Sequence, residues 1–137
     1  AINANISALG LAGTRLNRLL FDGEASARGL ENHVTAADMG RLLELIYRGG
    51  LVSAKASADM FAILSEQRLG GKLPLALPRD VRVANKTGEG EGITNDVGIV
   101  EGSHPYVICI LANDVNAPDF DMAIHRVSRA VFESVRT

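Results

Sequence analysis

The stretch RVANKTGEGEGITNDVGIV, residues 82–100, sets a lysine and a threonine at the end of a short apolar run and then alternates glycine with other residues. Lys86 and Thr87 place an ammonium beside a hydroxyl, and Gly88 follows with no side chain. One reading is a strand running into a flexible glycine turn, with Lys86 solvated. A phosphate loop is a second, but that motif needs its lysine after the glycines, at the mouth of a helix whose amides meet the phosphates. Here the lysine comes first and a strand follows, so the phosphate reading fails. Other reactive side chains are sparse. His33, His104 and His125 are scattered with no metal-ligand spacing, so neither a metal site nor a cofactor is expected. Cys109, the lone cysteine, excludes an internal disulfide and reads as a small buried hydrophobe.

The elements that must position these residues follow from composition and periodicity. The 137 residues suit one domain and can bury a real core. At 47% hydrophobic and 22% charged the chain is ordinary for a globular protein, and a net charge of −2 gives no reason to expect nucleic acid as a partner. No segment approaches the roughly 18 apolar residues of a membrane span, and no charged-then-apolar signal opens the chain. AINANISALG reads as a short helix with Ile2, Ile6 and Leu9 on one face, stopped at Gly10. The next twenty or so residues (about the length at which a loop is functional or disordered) have no sustained period and are expected to form a long ordered loop with one helical turn.

TAADMGRLLELIYRGG is the clearest helix. Thr35 is its N-cap, Asp38 stands in a capping-box position, and Met39, Leu42, Leu43 and Ile46 form its apolar stripe. SAKASADMFAILSEQRLGG repeats the design with Ser53 as cap, Met60, Ile63 and Leu64 inward, and Gly70-Gly71 as the stop. LPLALP reads as an extended connector. Three strands follow: one ending at Lys86, one at NDVGIV and one at PYVICILA, the last two joined as a hairpin through EGSH. The third is apolar on both faces and should be covered on both. The final helix starts near Pro118 and buries Phe120, Ala123, Ile124, Val127, Val131 and Val135. Helices, three strands and a helix predict an α+β fold, an antiparallel sheet with helices packed on it.

Against this frame NKTGEGEG takes its third reading. Lys86-Thr87-Gly88 resembles the Lys-Thr-Gly strand end of serine β-lactamases and penicillin-binding proteins. The surrounding residues are similar in order and spacing to the class A β-lactamases. LGLAGTRLNR, with Arg15, Leu16 and Arg18, resembles the entry to the family's Ω loop, which would run from Arg18 to Asn32. NHVTAADMGRLL resembles the family's TTxxDMxxLL helix. The resemblance spans about residues 1 to 113 and implies that residues 1–137 are the C-terminal portion of a β-lactamase-like domain, a partial fold of that kind. It further implies that Lys86 and Thr87 project from a strand edge into a cleft and hold the carboxylate of a β-lactam or peptide-like substrate, with Gly88 leaving room for it. Lys86 and Thr87 are expected to be accessible at the open end of the strand, with Gly88, Gly90 and Gly92 making the turn.

Two departures from the family pattern matter. The nucleophile of such proteins is the serine of Ser-x-x-Lys, and neither that motif nor Ser-Asp-Asn occurs here: Ser53, Ser57, Ser65, Ser103 and Ser134 all lack a lysine three residues on. No catalytic residue is therefore assigned within the chain, which reads as the part after both motifs and is expected to be inactive alone. In class A enzymes a glutamate follows the loop arginine and activates the deacylating water, but aligned from Arg18 that position is Leu20, which cannot act as a base. Asp22 and Glu24 are the nearest carboxylates, either substitutes for it or solvated loop charges. The expected function is thus the substrate-binding half of a serine hydrolase acting by acyl transfer, with periplasmic or secreted location by resemblance. The alternative is a degenerate or stand-alone binding module on the same scaffold. The strand YVICILA would have one bare edge, so the expected partner is an N-terminal half or a second copy of the chain.

Overall fold

The structure is a computed structural model and describes residues 1–136; Thr137 lies outside the described residues. Three consecutive strands, β1 (Val83–Gly90), β2 (Ile93–Val100) and β3 (Tyr106–Ala112), form one antiparallel sheet in the order β1-β2-β3. The helices are α1 (Ile2–Ala8), α2 (Gly23–Ala27), α3 (Ala36–Tyr47), α4 (Ala54–Ser65) and α5 (Ala117–Val135), with a 3₁₀ turn at Leu73–Ala76. This is the α+β arrangement expected from the order of elements.

Because strand side chains alternate, the sheet has two faces with different cover. On one face Ala84, Val97 and Ile99 pack with Leu43 and Ile46 of α3 and with Leu51. On the other, Val100 and Ile108 pack with Leu73, Leu77 and Ile124, bringing α5 and the 3₁₀ turn onto the sheet. Burying each of these branched side chains contributes about 2 kcal/mol. A Cβ on Gly98 would sit 3.0 Å from the Asn85 side chain and 3.4 Å from Leu73, so glycine there lets the 3₁₀ turn lie close against β2.

The caps form as the sequence predicts, Thr35 Oγ1 accepting from the Asp38 amide and Ser53 Oγ from the Ala56 amide. α5 adds one, Asn116 Oδ1 accepting from the Asp119 amide. Asp38, however, does not complete a capping box. Its Oδ2 accepts from the Gly13 amide and the Thr14 hydroxyl, each at 2.8 Å, and so ties the α1–α2 connection to the start of α3.

Other expectations fail for local reasons. α4 ends at Ser65, well before Gly70-Gly71, where Ser65 Oγ bonds back to the Phe61 carbonyl. Ile63 is exposed, since the buried side of α4 runs through Ser57 with Met60, Phe61 and Leu64. LPLALP is not extended: the Leu75 amide bonds to the Lys72 carbonyl and the Leu77 amide to the Pro74 carbonyl, curling it into the 3₁₀ turn. On α5, Val127 is exposed, and Ser128 takes the buried place by donating to the Leu73 carbonyl at 2.9 Å. β3 is only half covered, with Ile108 alone fully buried. Its side away from β2 pairs with no strand among the described residues.

Candidate functional site

β1 is one edge of the sheet among the described residues, and it does not stop at the Lys-Thr-Gly sequence. It continues to Gly90, so Gly88 and Gly90 are strand residues and the turn is made by Glu91 and Gly92 alone. Gly92 has φ +64°, a conformation that carries no Cβ penalty in glycine. The register sets Lys86 opposite Val97, Thr87 opposite Asp96 and Gly88 opposite Asn95.

Alternation sends Lys86 and Thr87 to opposite faces, with opposite results. Lys86 is exposed, and its Nζ folds back to donate to the Thr87 carbonyl. It borders a shallow groove shared with Leu64, Gln67 and Arg68 at the end of α4. Thr87 is not accessible as expected: it is 4% exposed, and its Oγ1 has no hydrogen-bond partner. An added Cβ on Gly88 would meet only ordinary contacts, at 3.5 Å or more, from Asn95. The fold itself therefore does not demand glycine at that position.

Beneath Thr87 lies a buried polar cluster that the sequence reading missed. Asp96, fully buried, accepts from Asn85 Nδ2 at 3.0 and 3.1 Å and from the Leu73 amide at 3.0 Å. Burial pushes the Asp96 carboxyl up, outweighing these bonds and the nearby Lys72. Lys72, also buried, donates to Glu89 Oε1 at 2.9 Å and to the Asn95 carbonyl at 3.2 Å. Burial raises the Glu89 carboxyl, but the Lys72 ammonium leads the groups that bring it net below its ordinary range. The Thr87 hydroxyl acts on that carboxylate too, yet falls short of hydrogen-bond geometry. Thr94 donates to Asp121 of α5 at 2.6 Å. A lysine in a connector flanked by Gly71 and Pro74 was the available signal for Lys72, but its partner lies seventeen residues further on.

The loop carboxylates are elsewhere. Asp22 Oδ1 accepts from the Ala25 amide at 2.9 Å, which makes it the cap of α2, and Glu24 is exposed in the first turn. No hydrogen bond joins either to Lys86 or Thr87 among the described residues. The neck of this loop is well defined. Arg15 and His33 exchange backbone bonds, Asn32 Oδ1 accepts from the amides of Asn17 and Arg18, and Arg18 pairs with Glu31 at 2.7 Å. Leu19, Leu20 and Phe21 stand exposed at its far side. Serine hydroxyls serve structure: Ser57 with Leu51, Ser65 with Phe61 and Ser128 with Leu73. Ser103 and His104 share a 3.3 Å contact, but as exposed chain neighbours on the β2–β3 turn. Burial pushes the Cys109 thiol up to about 11, so it is no nucleophile. No group of side chains fit to hold a metal ion occurs among the described residues.

A three-stranded antiparallel sheet, α5 and the 3₁₀ turn on one face and α3 and α4 on the other make up the C-terminal part of the class A β-lactamase fold. The chain belongs to the β-lactamase enzyme family, whose profile matches residues 1–135, and so has a serine hydrolase scaffold. It is similar to the β-lactamase of Sphaerobacter thermophilus (23% identity, TM-score 0.88, covering 98% of this chain and 52% of that one). It is similar to the reconstructed class A β-lactamase of the last common ancestor of Gram-negative bacteria (28%, 0.82, 97% and 53%). A third likeness is to a leucine-to-glutamate mutant of PBP-A, seen as an acyl-enzyme complex with penicillin G (24%, 0.85, 97% and 50%). The chain thus spans about half the length of these proteins. No curated protein matches it in sequence.

Proposed function

We propose that this chain supplies the substrate-binding wall of a serine acyl-transfer enzyme acting on β-lactams or peptide-like amides and esters, with the nucleophilic serine contributed from outside residues 1–137. The carrying observation is the outer strand β1: an exposed Lys86 ammonium, a buried Thr87 hydroxyl with no partner, and a glycine at 88 that the fold does not itself require. A ligand carboxylate would satisfy Thr87 on one face of β1, with Lys86 on the other face adding longer-range attraction, while the bare backbone at Gly88 lets substrate lie alongside. Residues 1–137 would then be the C-terminal portion of one domain, the bare edge of β3 would pair with a strand from the remainder, and the location would be periplasmic or secreted. Leu20 leaves the deacylating base unsupplied, so the acyl-enzyme should persist. Asp22 is committed to its cap, which leaves Glu24 as the only free carboxylate of the pair.

In the full-length protein Lys86→Ala should slow acylation by a penicillin roughly 100-fold, read by mass spectrometry of the adduct. Equal rates would remove the assigned role. Residues 1–137 alone should form no adduct on any serine. The second reading, a non-catalytic binding module, rests on the structural employment of Ser57, Ser65 and Ser128, and a full-length protein that never acylates would favour it.

A further inference from the structure

The polar cluster under β1 contains a mismatch that points to substrate choice. Thr87 Oγ1 is buried and unsatisfied, while Lys72 Nζ, also buried, is already engaged by Glu89 at 2.9 Å. Thr87 and Glu89 are two residues apart on one strand, so they share a face and flank the same spot. A buried hydroxyl without a partner is costly, and the Glu89 carboxylate leaves it unsatisfied while holding the ammonium. A ligand carboxylate entering along β1 could accept from both Thr87 and Lys72, but only by displacing Glu89. More than half of the Glu89 side chain is exposed, so it has somewhere to go.

Resting on the function proposed above, we propose that Glu89 is a specificity-determining residue: an internal carboxylate that occupies Lys72 and disfavours carboxylate-bearing substrates against uncharged ones. Two charges of the same sign cannot share this spot without repulsion, so each anionic substrate must compete with a tethered rival, whereas an ester or amide need not. Lys86, on the opposite face and exposed, remains the cation that every substrate meets.

The test uses the full-length protein and two probes, benzylpenicillin and its methyl ester, which differ in that one carboxylate. The reading is the ratio of their acylation rates. Glu89→Gln keeps an acceptor for Lys72 and removes the charge, so the ratio of acid to ester should rise about threefold or more. Lys72→Met keeps the buried stem and removes the ammonium, leaving Glu89 unpaired beside the entering carboxylate, so the ratio should fall. Melting temperatures of both variants separate folding defects from changes in preference, and either variant alone decides the sign. An unchanged ratio, or both variants shifting it the same way, overturns the role of Glu89 while leaving the function intact. Failure of wild type to acylate with either probe overturns both.

Discussion

The two faces of the sheet are built on different principles. Toward α3 and α4 the packed cluster of Leu43, Ile46, Leu51, Ala84, Val97 and Ile99 is apolar, and the buried polar groups there, Ser57 and Asp38, bond to connecting segments rather than to the sheet. Toward α5 the face is apolar at one end, around Leu73, Val100, Ile108 and Ile124, and polar at the other, where Asn85, Thr87, Thr94 and Asp96 are all buried. An apolar face tolerates small shifts because dispersion and burial are non-directional. A face made of Asn85–Asp96 and Thr94–Asp121 bonds does not, since each donor has one acceptor in one direction. The polar end underlies the Lys-Thr-Gly strand, so the wall with the candidate site is fixed by directional bonds and the opposite wall by bulk.

The largest loss of stability comes from the apolar face. Leu43→Ala should destabilise by about 3 kcal/mol through the cavity it leaves, measured by chemical denaturation. Its effect on substrate preference should be nil; a change in the acid-to-ester ratio would show that the faces are not independent. Asp96→Ala should cost about 2 kcal/mol, because Asn85 and the Leu73 amide lose their acceptor. Unlike Leu43→Ala, it should also weaken ligand binding, by letting β1 and the 3₁₀ turn drift apart. An affinity equal to wild type would make the cluster ordinary packing.

The pH dependence follows the polar face, where Asp96 is buried and Glu89 is paired with Lys72. Asp96 is raised above its ordinary 3.8, so the folded chain binds that proton more tightly than the unfolded chain. Its contribution is fully present below 3.8 and is lost as pH rises through the folded value. Glu89 runs the other way: lowered from 4.5, its contribution is present above 4.5 and is lost as pH falls through the folded value. The stability of wild type relative to Asp96→Asn should therefore be greatest at acid pH and decline as pH rises. Denaturation across a pH series that gives the reverse slope would mean that the bonds from Asn85 and Leu73 outweigh burial. The smallest effect belongs to the loop neck. Asn32→Ala removes one acceptor from the amides of Asn17 and Arg18 and should cost about 1 kcal/mol, seen as faster amide exchange near residues 17–32.

What could be read in advance divides along the same line. The stripe of α3, the caps at Thr35 and Ser53 and the three-strand order are local patterns, set by residues within a turn or a hairpin of one another. The family likeness adds the choice of Lys86, Thr87 and Gly88. The sequence could not show that Thr87 is buried, because the burial of a strand residue depends on which distant segments pack around it. Lys72 and Asp96 escaped for the same reason, as their partners come from other elements. Asp38 looked like a capping residue because its spacing fits one, and only the folded connection shows Gly13 and Thr14 taking its carboxylate.

The strand order has a bearing on how the chain reaches this state. Among the described residues β1, β2 and β3 pair with their neighbours in sequence, across turns of a few residues, so this sheet is a meander that closes small loops. The bond from Ser128 to the Leu73 carbonyl, in contrast, joins residues 55 apart. Loop-closure entropy rises with that separation, and non-local contacts are the slow ones. The hairpins should therefore form first and α5 should dock late, swinging back across the finished meander. In a mutational study of the folding barrier, substitutions in the β1–β2 hairpin should slow folding, and Ser128→Ala should chiefly quicken unfolding. The polar support beneath β1 would then be the last part of the molecule to set, completed only when the final helix arrives.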